Sequence, residues 1–148
     1  MKIEEEILQP KFTSPNQKAV VNLMFTAGWL ASKHQDFFKA YGITSQQYNI
    51  LRILRGQYPQ TISATEIKAR MLDKNSDVSR LLDRLVAKNM IEKKASQSDK
   101  RASDVFITTS GLDLLTSIQL RQEELEGIMV LTPDEASLLS DLLDKCRG

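Results

Sequence analysis

A Lys-Arg pair in the polar stretch 98–103 is the strongest candidate for chemistry in this sequence. Asp99 stands two residues before Arg101, where its carboxylate can hold the guanidinium in one orientation. Guanidinium and ammonium groups bind phosphate oxygens. The stretch runs into alternating apolar residues, Val105 and Ile107, which is the pattern of a half-buried strand. The sequence therefore predicts a cationic loop at the tip of a β-hairpin.

A second polar and cationic set lies on one side of a predicted helix at 76–88. The opposite side is an apolar stripe with helical spacing, formed by Val78, Leu81, Leu82, Leu85 and Val86. The polar side carries Ser76, Arg80, Asp83, Arg84 and Ala87. Only the residues LDKN separate this helix from a short helix before it, so the pair is either a helix-turn-helix or an ordinary helical hairpin with a solvated basic face. The pattern of this pair alone does not separate the two alternatives.

The residues that follow the helix favour the helix-turn-helix. Asn89 can adopt the left-handed conformation that ends a helix. Residues 90–94 and 104–108 have the composition of two short strands, and the polar segment 95–103 between them is too long for a two-residue turn. A helix-turn-helix followed directly by a hairpin with a basic tip is a winged helix.

Capping residues mark the starts of the other helices. The signals are Ser14 before Pro15, Thr44, Ser63 with Glu66, Thr108, and Thr132 before Pro133. They predict helices at 14–40, from 44, at 63–71, at 110–129 and from 132, the last with a buried leucine stripe. Gly111 is expected to let the helix after the wing pack closely. We predict one domain over 1–148, mainly α with a small β-hairpin wing (α+β), with a winged helix-turn-helix lobe at 44–111.

Composition narrows the classes of protein that the chain can represent. Hydrophobic residues make up 41% and charged residues 26%, as in ordinary soluble domains. A single cysteine, Cys146, fits a reducing cytoplasm, and with the single His34 it makes no familiar zinc cluster. The longest charge-free stretch, 19–32, is shorter than the ~20 residues that a membrane-spanning helix needs. We therefore expect a soluble cytoplasmic protein with no membrane partner, no metal, no cofactor and no catalytic constellation. Residues 66–101 carry a formal net charge of +4, whereas the rest of the sequence carries a net charge of −3.

Residues 44–111 resemble the MarR (multiple antibiotic resistance regulator) family of bacterial transcription factors. The family's wing signature is matched by Asp99, Arg101, Val105, Ile107, Thr108 and Gly111. Its recognition helix resembles residues 76–91, although Asn89 stands where the family usually has glycine. The resemblance implies a homodimer that binds a short pseudo-palindromic operator on double-stranded DNA. It also implies repression of neighbouring genes until a small molecule or oxidant releases the protein.

The terminal helices, at 14–41 and 112–146, are the dimerisation region that the resemblance implies. Their composition supports a dimer independently, because they carry more apolar surface than one winged-helix core can cover. Candidates for a shared helical core are Val20, Val21, Met24, Leu115, Ile118, Leu138 and Leu142.

The expected DNA contacts come from the recognition helix and the wing. Arg80 and Arg84 suit base edges or phosphates, and Arg101 suits the minor groove with Asp99 as its orienting partner. The full set is Ser76, Asp77, Ser79, Arg80, Arg84, Lys93, Lys94, Asp99, Lys100 and Arg101. The alternative is a winged helix that contacts only proteins, which would not need a basic tip.

Aromatic side chains on the first two long helices are candidates for an effector site, because family members commonly hold ligands between the dimerisation helices and the DNA-binding lobe. These candidates are Trp29, His34, Phe38, Tyr41 and Tyr48. Each of them could instead belong to the core. Oxidant-sensing relatives use a cysteine in the N-terminal helix. This chain has no cysteine before Cys146, so peroxide sensing of that kind is disfavoured.

Overall fold

The computed structural model describes residues 1–96 and 102–148, which form eight helices and three short strands. In chain order these are α1 Ile3–Glu6, α2 Pro15–Lys39, α3 Ser45–Gln57, β1 Ile62–Ser63, α4 Ala64–Arg70, α5 Val78–Ala87, β2 Ile91–Ala95, β3 Ser103–Ile107, α6 Thr109–Gln119, α7 Gln122–Glu126 and α8 Pro133–Arg147. This order confirms the predicted, mainly helical fold with a small β wing. Across these described ranges, no helix has the length and apolar character needed to cross a membrane.

The predicted caps are present at the helix starts. Thr44, Ser63 and Thr132 each accept a hydrogen bond from the backbone N–H of the third helical residue. The Gln or Glu side chain at that third position accepts in return from the backbone N–H of the cap. Both bonds satisfy donors that the helix itself leaves without partners, which is why these short polar motifs position α3, α4 and α8.

The junction between α5, the wing and α6 is built as the sequence predicts. Asn89 adopts a left-handed conformation with φ of 58°. Thr108 Oγ1 donates to the Asn89 carbonyl at 2.7 Å and accepts from the Gly111 N–H at 3.2 Å. A Cβ on Gly111 would lie 2.4 Å from the Met90 carbonyl oxygen and 2.6 Å from Ile107 Cγ1. The close packing expected at Gly111 is therefore confirmed.

The wing belongs to a three-stranded antiparallel sheet with the order β1-β3-β2. Ile91 of β2 lies opposite Ile107 of β3, within one residue of the predicted strand bounds. Strand β1 was not predicted, because two residues show no alternation. Its Ile62 pairs with Val105 and thereby anchors the wing to the start of α4.

Two helices differ from the prediction. The segment predicted as one helix over 110–129 is divided into α6 and α7, and the break lies at Leu120–Arg121. The recognition helix begins at Val78 and not at Ser76, because Asp77 Oδ1 accepts from the Arg80 N–H at 3.2 Å and caps the helix one residue later.

The hydrophobic core lies between α3, α4, α5, α6 and the sheet. Its fully buried side chains include Ile50, Leu51, Leu54, Ile67, Leu82, Leu85, Val105, Leu115 and Ile118. The stripe predicted on α5 is largely confirmed, because Val78, Leu82 and Leu85 are buried and Leu81 packs against them. Val86 is the exception and is partly exposed.

The terminal helices leave large apolar side chains exposed on the isolated chain. Met24 is 71% exposed and Leu138 60% exposed, and Val20 and Leu142 are exposed as well. The leucine pairs of α8 are therefore exposed or half-buried, not buried as predicted. Leu115 and Ile118 were also predicted for a core shared between two chains. That prediction is wrong, because both are buried in the chain's own core.

Candidate nucleic-acid interface

Helix α5 turns a polar side to solvent. Ser79, Arg80 and Arg84 are all exposed, while Leu82 and Leu85 on the other side are buried. Burial of the apolar stripe therefore sets the rotation of the helix and the direction in which the two guanidinium groups point. Because the arginines are four residues apart, they lie about one turn from each other on the same exposed side.

The turn before α5 is attached to α3. Asn49 Oδ1 accepts from the Leu72 N–H at 2.9 Å, and this bond fixes α4 and α5 against the helix behind them. Ser76, predicted as part of the recognition helix, lies in this turn, and its hydroxyl is buried without a hydrogen-bond partner in the described part of the chain. Asp77, predicted among the DNA contacts, lies at the exposed helix start, where its carboxylate already serves as the cap.

The wing meets the recognition helix through an ion pair that sequence reasoning missed. Lys93 Nζ of β2 lies 2.5 Å from Asp83 Oδ1 of α5. This bond joins the base of the wing to the same side of α5 that carries the arginines. Lys94 lies next along β2 with its Nζ 5.0 Å from the centre of the Phe106 ring. Both predicted phosphate-neutralising lysines thus lie beside the recognition helix or on the neighbouring wing surface.

The tip of the wing, with Asp99, Lys100 and Arg101, lies outside the described residues. Their roles stay predictions. Just below the tip, the Ser96 N–H donates to the Ala102 carbonyl at 3.1 Å. This bond continues the hairpin by one step past the ends of β2 and β3.

Three of the candidate effector residues cluster between α2 and α3. The ring centres of Phe38 and Tyr48 lie 4.3 Å apart, and those of His34 and Phe38 lie 6.3 Å apart with the rings nearly perpendicular. Phe38 is buried in the hydrophobic core, which is the alternative that the sequence left open for it. Burial also lowers the pKa of the His34 imidazole. Trp29 is partly exposed, and within the described ranges no ring contact joins it to the others.

The remaining candidate, Tyr41, belongs to a second cluster centred on Arg121, which sequence reasoning also missed. The guanidinium lies 4.9 Å from the centre of the Phe37 ring and 3.4 Å from the Tyr41 hydroxyl. It also donates two hydrogen bonds to the Glu124 carboxylate, at 2.9 and 2.6 Å. These bonds raise the pKa of Arg121 and lower the pKa of Glu124. The cluster fixes the break between α6 and α7 to the end of α2.

Comparison with known proteins adds to this geometry. The model of the MarR family matches residues 43–103. The multiple antibiotic resistance protein MarR of Escherichia coli K12 is 30% identical over 116 residues, which are 74% of this chain and 77% of MarR. The E. coli regulator PapX is 28% identical over 87 residues, which are 59% of this chain, and this chain spans about half (53%) of PapX.

A solved structure has the same fold over almost the whole chain. It is that of a mutant MarR from E. coli complexed with operator DNA, and it matches 91% of this chain and 100% of its own, with a TM-score of 0.73 and 26% identity. The segment matched by the family model contains the recognition helix, its capped turn and strand β2 of the wing, and it ends at the first residue of β3. With the identity to MarR over three quarters of the sequence, these findings establish that the chain belongs to the MarR family of transcription regulators.

Proposed function

We propose that this chain is a sequence-specific DNA-binding regulator that acts as a homodimer on double-stranded DNA. The observation that carries the proposal is the exposed polar side of α5, with Arg80 and Arg84 one turn apart beside the wing. An α-helix fits the major groove, where an arginine can donate two hydrogen bonds to guanine O6 and N7. The fold shared with an operator-bound MarR supports this use of α5.

The residues around α5 have complementary roles in the proposal. Ser79 lies in the first turn of the helix, where an exposed hydroxyl suits phosphate or base contacts, whereas the hydroxyl of Ser76 is buried in the turn before the helix. Asp77 positions the helix through its cap and takes part in binding indirectly. Lys93 and Lys94 neutralise phosphates along the wing.

At the wing tip, Arg101 enters the minor groove, Asp99 orients it and Lys100 contacts a phosphate. This part of the proposal rests on the sequence signature of the wing. It is also consistent with the hairpin, because the hydrogen bond between Ser96 and Ala102 joins the two residues that flank 97–101 in the sequence.

A homodimer is supported by the apolar side chains of α2 and α8. Val20, Met24, Leu138 and Leu142 are each more than half exposed on the isolated chain. Exposed apolar surface of this extent marks an interaction site. A two-fold dimer presents two copies of α5 to one side of a duplex, so the operator should contain two inverted half-sites about 10 bp apart, centre to centre.

The finer parts of the proposal follow from family membership. We infer that the protein represses neighbouring genes and is released by a small molecule, and that it acts in the cytoplasm. The matched relatives are regulators, and the proposal contains no catalytic step. The rival, a winged helix that contacts only proteins, gives no reason for two exposed arginines beside two wing lysines.

The decisive experiment is selection of bound sequences from random DNA with the purified protein at one stated salt concentration. The expected result is an inverted repeat whose half-sites are about 10 bp apart. Arg84→Ala should lose this selectivity, whereas Arg147→Ala, a control that removes an exposed arginine from α8, should retain it. Failure to enrich any sequence, or enrichment of a motif without symmetry, would contradict the proposal.

A further inference from the structure

The winged lobe, formed by α3 to α6 and the sheet, is joined to the terminal helices at two places. Helix α2 leads into α3 through residues 40–44, and α6 leads into α7 at Leu120–Arg121. Inside the lobe, the buried side chains of Phe38, Leu115 and Ile118 hold the helices together. The exposed apolar side chains of α2 and α8 lie outside this core. The orientation of the lobe relative to the terminal helices therefore depends on how the two connections are held.

Arg121 ties these two connections to each other. Its guanidinium lies 4.9 Å from the centre of the Phe37 ring and 5.8 Å from the centre of the Tyr41 ring, at the end of α2. Its Nη1 donates to the Tyr41 hydroxyl at 3.4 Å. Its Nε and Nη2 donate to the Glu124 carboxylate in α7 at 2.9 and 2.6 Å. A single side chain thus contacts the end of α2 and the first turn of α7 at the same time.

The shape of the guanidinium makes this contact directional. The group is planar and its five N–H donors point in fixed directions, so the contacts of Arg121 determine an angle as well as a distance. A lysine at the same position would present a compact charge that can hold its partners in many orientations. The Arg121 side chain is 42% exposed, and exposed ion pairs contribute little to the free energy of unfolding. Loss of the cluster should therefore change the geometry of the joint more than the stability of the fold.

We propose that Arg121 is a positioning residue that sets the separation of the two recognition helices in the dimer, and thereby the half-site spacing that the protein accepts. This inference rests on the proposed function, because it uses a homodimer on an inverted repeat. One added base pair moves a half-site by about 3.4 Å along the duplex and by about 35° around it. A lobe whose orientation is held at the joint cannot follow such a change, whereas a lobe released from α7 can follow it. Arg121 thus contributes to operator selection through the joint and not through a contact with DNA.

The first experiment measures how strictly the protein selects the spacing. The selected half-site is placed in inverted repeats about 10 bp apart, in repeats one base pair shorter and longer, and in a duplex with one half-site only. Affinities are measured by fluorescence anisotropy at one salt concentration. Arg121→Gln should reduce the preference for the 10-bp repeat over its neighbours by about three- to tenfold. The affinity for the single half-site should be unchanged, because α5 keeps its own contacts.

Two further variants make the assignment specific. Arg121→Lys keeps the positive charge but lacks the planar fork, so it should relax the spacing as Arg121→Gln does, and it decides the matter if Arg121→Gln does not fold. Arg52→Gln is the control. The Arg52 guanidinium lies 5.9 Å from the centre of the Tyr48 ring in the same helix, α3, so this pair does not span the joint. The spacing preference of Arg52→Gln should equal that of the unchanged protein.

The second experiment needs no DNA. In a Cys146→Ser background, which removes the exposed native thiol, Ala69→Cys places one spin label on an exposed position of α4 in each protomer. The distance between the two labels of a dimer is measured by double electron–electron resonance. The expected result is one narrow distribution of distances when Arg121 is present and a broader distribution for Arg121→Gln. Arg52→Gln should keep the narrow distribution.

The outcomes separate the positioning role from the proposed function. An unchanged spacing preference, or an equal loss of affinity for the repeat and for the single half-site, overturns the positioning role. Equal relaxation by Arg52→Gln, or unchanged label distances in Arg121→Gln, overturns it as well. If the protein binds no DNA, the proposed function fails, whereas the label distances still decide whether Arg121 holds the two lobes in place.

Discussion

Replacing Gly111 with alanine should destabilise the protein, although alanine is the better helix former. Gly111 is the third residue of α6, where alanine would ordinarily be favoured by about 0.5–1 kcal/mol. Its Cβ would meet the Met90 carbonyl oxygen at 2.4 Å and Ile107 Cγ1 at 2.6 Å. Neither neighbour can move freely, because that oxygen accepts from the Thr108 N–H at 3.0 Å and Ile107 is buried. Overpacking of this kind costs about 1–3 kcal/mol, so after the gain in helix propensity we expect a net loss of about 0.5–2 kcal/mol in the free energy of unfolding.

The same substitution in α3 provides the control. A Cβ on Gly56 would have no neighbour within 4 Å, so Gly56→Ala should raise the free energy of unfolding by about 0.5–1 kcal/mol. Both variants are compared with the unchanged protein by urea unfolding under far-ultraviolet circular dichroism. Protein concentration is held constant because association changes apparent stability. Should Gly111→Ala prove as stable as the unchanged protein, the steric explanation of this junction would be refuted.

Three further predictions concern α5 and the wing. Arg84→Ala should weaken operator binding by about 1–3 kcal/mol, mainly at one base-pair position of the site, and should leave the free energy of unfolding unchanged. Fluorescence anisotropy with operators that differ at single positions measures this loss. Leu82→Ala, on the buried side of the same helix, should lower the free energy of unfolding by about 2–5 kcal/mol in urea titrations. Asp99→Ala should weaken operator binding because Arg101 loses its orienting partner. Lys100→Ala should weaken binding to all sequences alike and make the salt dependence shallower, by about one released counterion per lost phosphate contact. Tighter binding by the Asp99 variant would show that the tip acts as a generic basic patch.

The parts of the fold that were predicted correctly depend on short sequence patterns. Thr44 and Ser63 predict helix starts because a capping residue and its partner lie three residues apart in the sequence. Val78 and Leu82 predict the buried side of α5 because apolar residues with helical spacing recur within a few residues of one another. Such local patterns do not predict how the recognition helix and the wing are arranged relative to each other. That arrangement was predicted from the resemblance to the family.

The parts that were missed depend on residues far apart in the sequence. Tyr41 and Arg121 are separated by 80 residues, and no short pattern links them. The hydrogen bond from the Lys88 ammonium group to the Gly42 carbonyl, which joins residues 46 apart, is a second case. Leu115 shows a different limit, because an apolar stripe looks the same whether it faces its own core or a second chain.

The two lysines of β2 have a consequence for the behaviour of the protein in solution. Among the described residues, strand β2 lies at the outer edge of the sheet, with no strand on its far side. An open edge can template further strands from other molecules, and charged side chains are the usual protection against this. Residues 92–95 of the strand are all exposed, and Lys93 and Lys94 lie among them. The two lysines that we propose as phosphate contacts therefore also protect the wing against edge-to-edge pairing, so replacing both would be expected to promote association through β2.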